Sequence, residues 1–233
     1  MMKRLPILLL LVILGSGCQK NNGDQASAES ANAKELEEKP LTPIPDEMTL
    51  EFVRKLWSQP HDEAGVIDQI KQYMQPGKWR ILRKFAPKGG TPSTNELSHE
   101  VKYVDRRFLV FQSRFEKLID EGAVSLKGSE VMGVIAYDFK EKVLKYWEFR
   151  TVEGHEGLEL YMTGEPDIKF QNIHWKSRKM SPDFPPGWRM EFIQDIDAAR
   201  EKLVSEGSII NGEETMGLIQ DEMTLLKKPG SGS

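Results

Sequence analysis

Cysteine is almost absent from this chain: Cys18 is the only one among 233 residues. That excludes an internal disulfide and any cysteine-built metal cluster, because such sites need several ligands at fixed spacing. Histidine is scarce as well. His61, His99, His155 and His174 lie far apart and share no metal-ligand spacing of the HExxH kind. The sequence has no GxSxG elbow for a nucleophile and no Walker loop, and Gly89 with Gly90 is too short to cradle phosphate. A basic excess is also missing. The formal net charge is −4, which argues against nucleic acid, since that partner calls for a basic face. No apolar run approaches the roughly 20 residues that a membrane-spanning helix requires. No catalytic set, metal site or cofactor motif is left, and an enzyme is the least favoured class.

What is present begins at the N-terminus. Lys3 and Arg4 precede an apolar run over residues 5–14, broken only by Pro6, and Gly15, Ser16 and Gly17 lead into Cys18. A cationic start, a short apolar centre and small residues at the cut are the parts of a secretory signal. With cysteine next in line, the stretch resembles the signal of a bacterial lipoprotein. It departs from that signal in having Gly15 where Leu usually stands, with Leu14 one step further back. The resemblance implies removal of residues 1–17, acylation of Cys18 and a membrane held through lipid. Gln19 rather than Asp after the cysteine resembles the sorting pattern of outer-membrane lipoproteins, which implies a protein facing the periplasm. The removed segment carries two positive charges and no acid, so the net charge moves from −4 to −6. The acyl chains, not charge, would then supply the attachment.

Residues 18–45 are polar and small, then charged, then punctuated by Pro40, Pro43 and Pro45. Such a stretch cannot bury enough apolar surface to offset ordering entropy, and it reads as a disordered tether. Residues 46–77 form a helical lead-in. Phe52, Val53, Leu56 and Trp57 recur at helical spacing, and a second pattern follows with Val66, Ile67, Ile70 and Tyr73, for which Asp62 is a candidate cap. Pro76 and Gly77 stop it.

Over 78–228 the period changes to two. Trp79, Ile81 and Phe85 alternate with Lys78, Arg80 and Lys84, and Leu97, His99, Val101 and Tyr103 alternate with polar neighbours. Further strand patterns follow at 108–115, 131–139, 143–152, 158–163, 168–177, 188–192 and 216–226, while Ala198, Ala199, Arg200, Glu201 and Leu203 predict a short helix over 197–206. The fold class is mainly β: an antiparallel meander of eight or nine strands, closing into a barrel to cover its edges. Residues 229–233 are a loose tail.

The segments DRRFL at 105–109, GVIAYD at 133–138 and VLKYW at 143–147 resemble a bacterial family of uncharacterised domains. That family has a "GRFL"-like strand, a "GxxxYD" hairpin and then an aromatic strand. The resemblance covers roughly residues 62–227 and implies a calycin-like barrel, as in lipocalins and fatty-acid-binding proteins. It implies no activity and no catalytic residue. Arg106 before the RFL and the helix near Asp197 depart from the family pattern.

Inside such a barrel, inward residues alternate with outward ones, and an eight-stranded wall can hold a small ligand. The candidate pocket residues are Arg83, His99, Tyr103 and Trp147, with Phe149 on the face of Trp147. Arg83 on an apolar face has two readings: a side chain near the mouth that snorkels to water, or an anchor for a carboxylated or amphipathic ligand. For His99 a buried structural role is the simpler reading. The leading expectation is a lipid-anchored barrel that binds a small apolar or amphipathic molecule. The alternative is an interaction lipoprotein with a filled barrel.

Overall fold

The computed structural model describes residues 40–119 and 130–228. Cys18, the signal, most of the tether and the tail lie outside them. Two helices precede ten strands: α1 (Leu50–Ser58), α2 (Asp68–Tyr73), then β1 (Gly77–Pro87), β2 (Ser93–Val104), β3 (Phe108–Leu118), β4 (Glu130–Asp138), β5 (Val143–Arg150), β6 (Gly157–Pro166), β7 (Asn172–Met180), β8 (Trp188–Ile196), β9 (Lys202–Asn211) and β10 (Glu214–Lys227). Each strand pairs antiparallel with its neighbours in sequence, and β10 returns to β1, pairing Trp79 with Leu225 and Arg83 with Asp221. The result is a closed barrel with no free edge, compatible with a calycin-like barrel. Among the described residues no helix is long and apolar enough to cross a membrane.

The expected eight or nine strands are ten, and the additional one is β9. Residues 197–201 form a turn instead of starting a helix. The Asp197 carboxylate accepts from the backbone N–H of Glu201 and Lys202, and Arg200 takes a positive φ of 57°. Asp197 thus satisfies the turn locally, and the following residues join the wall between β8 and β10. A strand that completes a closed ladder outweighs the high intrinsic helix propensity of Ala198 and Ala199, which is worth well under about 1 kcal/mol per residue.

Alternation divides the side chains into two apolar clusters. The interior cluster contains Trp79, Ile81, Leu97, Val101, Tyr103, Leu109, Phe111, Ile135, Leu144, Met162, Ile173, Trp175 and Leu203, with Ile70, Tyr73 and Met74 from the region of α2. The second cluster lies outside the wall. There α1 lays Val53 and Leu56 over Phe108, Val110, Met132, Val134, Ala136, Trp147 and Phe149 of β3, β4 and β5. Thr49 caps α1, accepting from the Phe52 N–H at 3.2 Å. Burying Val53 and Leu56 contributes about 1.5–3 kcal/mol each. Ile44 packs on this outer cluster, and the Arg107 guanidinium donates to the Thr42 carbonyl at 3.0 Å. The end of the stretch read as tether therefore touches the barrel.

Helix α2 is shorter than its periodicity suggested, and Asp62 does not cap it. Asp62 accepts from the Ala64 N–H in a turn several residues earlier, and α2 starts after Ile67 without a side-chain cap. It closes one end of the barrel. Tyr103 Oη donates to the Met74 carbonyl at 2.7 Å, Trp79 Nε1 to the Gln75 carbonyl at 3.0 Å, and Arg200 Nε to the Gln72 carbonyl at 2.8 Å.

Candidate functional site

The interior is not filled from end to end. Two connected lobes of about 290 and 330 Å³ share Arg83, Tyr146, Glu148, Glu159, Phe192 and Asp221 in their walls. Together they reach the size range of small-molecule sites. The inner lobe, nearer α2, is aromatic. His99 stacks on Phe111 at 4.6 Å between ring centres, Phe111 stacks on Tyr146 at 5.4 Å, and Tyr146 meets Trp175 edge to face at 5.9 Å. Gly133 makes this stack possible: a Cβ there would lie 2.0 Å from the Phe111 ring and 2.6 Å from the Trp147 carbonyl. The outer lobe is aliphatic and sulfur-rich, with Leu160, Met162, Met180, Met190 and Ile219. Phe85, Leu160, Met190, Phe192 and Ile219 are only half-buried, because they face open space at the end away from α2.

A charged waist separates the lobes. Arg83 and Asp221 stand opposite each other across the β1–β10 seam and form a two-pronged pair, Nε to Oδ1 at 2.9 Å and Nη2 to Oδ2 at 2.8 Å. Asp221 holds the guanidinium charged and raises its already high pKa. Glu148 accepts from Tyr146 Oη, and burial raises its pKa above the usual carboxylate range. Burial raises the Tyr146 phenol too, helped by the charge of Glu148. Glu159 is held by Arg150 at 2.8 Å, and Arg150 also reaches Asp183 at 2.9 Å. His99 shares a hydrogen bond between Nδ1 and Ser113 Oγ. Burial, and secondarily the charge of Arg83, holds its pKa down to about 3, so the ring is neutral. Across β1 from the seam, Asn95 pairs in register with Arg83. It is 2% exposed, and among the described residues its Oδ1 makes no hydrogen bond.

Three of the four residues proposed from sequence face inward, but only two line the chamber. Arg83 does, already neutralised by Asp221 and not free as the ligand anchor envisaged. His99 does, in the structural setting described. Tyr103 spends its hydroxyl on the Met74 carbonyl at the plugged end and borders neither lobe. Trp147 is outside altogether: it stacks on Tyr161 at 5.1 Å within the cluster under α1, and Phe149 is there too. The β5 residues that line both lobes are Tyr146 and Glu148. Sequence reading missed these two, together with Asp221 and Asn95. The signal that could have found the first two is the carboxylate at Glu148, two residues from Tyr146 on the face that also carries Leu144.

Among the described residues no group of three or more His, Cys, Asp or Glu is placed to hold a metal ion. No protein family matches the chain, and no curated protein matches it either.

Proposed function

We propose that the barrel is a carrier or sensor domain that binds one small amphipathic molecule, with its apolar part in the methionine-lined outer lobe and its polar part at the waist. The observation that carries this reading is the chamber. A barrel built only as a scaffold would fill its interior with side chains, as the α2 end does, whereas here half-buried apolar residues surround open space beside charged groups. An exposed apolar lining is costly unless something covers it. The chain as a whole is a lipoprotein in this reading. Acylated Cys18 holds it at the outer membrane facing the periplasm, on a tether that lets the barrel meet its ligand at the membrane surface.

Filling the outer lobe tests the binding reading. The full chain is expected to bind the neutral apolar dye N-phenylnaphthylamine saturably, and Met190→Trp is expected to abolish that binding. Equal dye binding by a folded Met190→Trp variant overturns the proposal. For the anchor, palmitate labelling is expected to be lost in Cys18→Ala, and a Cys18→Ala protein that stays wholly membrane-bound overturns it.

A further inference from the structure

We infer that the chamber selects amphiphiles whose head is a protonated amine and rejects those with a carboxylate head. This deepens the proposed function and rests on the chamber being a binding site.

The first argument is the balance of charge around the waist. Two basic and three acidic side chains line the two lobes: Arg83 and Arg150 against Glu148, Glu159 and Asp221. Arg83 is taken by Asp221 in two hydrogen bonds, and Arg150 is divided between Glu159 and Asp183. Glu148 is left with a phenol as its hydrogen-bond donor and, among the described residues, no ion pair. An arriving carboxylate would add a fourth acid to a waist that already sets three acids against two guanidinium groups, each of them already paired with a carboxylate. An ammonium group supplies the missing positive charge and up to three donors.

A further observation points the same way. Asn95, almost wholly buried in the wall of the outer lobe, has an amide oxygen without a partner. The last torsion of an asparagine is broad and two-fold, so a half-turn presents that oxygen to the chamber as a second acceptor. Two acceptors in a mostly apolar chamber are what a primary or methylated amine needs once its water is removed. The apolar tail then has the flexible methionines Met180 and Met190 to lie against, which adapt to shape.

Three probes with one tail separate the possibilities. Octylamine, octanol and octanoate are titrated into the full chain at neutral pH by calorimetry, and then into Glu148→Gln, whose fold is checked by near-UV circular dichroism. Octylamine is expected to bind at least about tenfold more tightly than octanoate, and Glu148→Gln to bring the two within about threefold. If all three probes bind alike, or octanoate binds best, the selectivity inference is overturned while the chamber remains a binding site. If the wild-type chain binds none of them and no dye, the binding reading itself falls. An amine preference that survives in folded Glu148→Gln also overturns the inference, because the charge responsible would then lie elsewhere.

Discussion

Strands β3, β4 and β5 have two covered faces, and the two are built differently. On the outside, under α1, packing is apolar and complete: Val53, Phe108, Val110, Val134 and Ala136 have no exposed surface. On the inside the same strands present Phe111, Tyr146 and Glu148 to a chamber with charges in its wall. The outer face carries stability. The inner face trades some of it for space and for polar groups held away from bulk water. A helix laid outside the barrel lets the wall be firm where the interior cannot be.

The comparison can be broken experimentally, beginning with the largest effect. Phe108→Ala, at a site with no exposure, is expected to lower stability by about 3–5 kcal/mol in urea denaturation while the folded fraction keeps its affinity for the reporter dye. A loss of affinity without a loss of stability would mean that the faces are not separate. Gly133→Ala acts through the wall. Its new methyl meets the Phe111 ring and the Trp147 carbonyl, so overpacking of about 1–3 kcal/mol is expected, together with a changed near-UV signal from the inner aromatic stack.

Acid comes next. His99 is neutral in the fold and held down to about 3, whereas in the unfolded chain it protonates near its ordinary value of 6.5. Its contribution is therefore intact above that ordinary value. It is lost as pH falls from there towards about 3, with a slope of at most about 1.4 kcal/mol per pH unit. Glu148 has the opposite sign: its raised pKa favours the fold at low pH, and that gain fades as pH rises through its titration. Comparing wild type with His99→Gln at each pH cancels Glu148, and the variant is expected to show the flatter acid profile. Equal profiles would mean that the ring is not shielded. The smallest effect is expected at the neighbour of Asp221. Glu222 points outward and pairs with Lys202 at 2.9 Å, both about half exposed, so Glu222→Gln is expected to leave both the urea midpoint and dye binding unchanged.

Much of the fold was legible because alternation is strict where one face meets water. The strands at Trp79 and at Leu97 read correctly for that reason, as did the turn at Asp105 and Arg106, which take positive φ values of 51° and 60°. The failures have physical causes. In β5 both faces are covered, one by α1 and one by the chamber, so Trp147 and Phe149 compete with Tyr146 and Glu148, and the larger aromatics drew the wrong face inward. In β9 the inward positions near the chamber are Ser205 and Gly207. A Cβ at Gly207 would lie 2.2 Å from that of Phe192, so the residue must be small there. Small residues make no apolar stripe, and the alternation disappears where the interior is open. The site was least legible of all, since the partnership of Arg83 with Asp221 depends on the β1–β10 register, which joins the two ends of the domain.

That seam also governs when the domain can fold. Nine of the ten ladders join strands that are neighbours in sequence, but the wall has no closed interior until β10 reaches β1. Loop-closure entropy is met before the last pairing returns anything, so topology of this kind is slow to assemble. The barrel therefore cannot be finished before its final strand arrives.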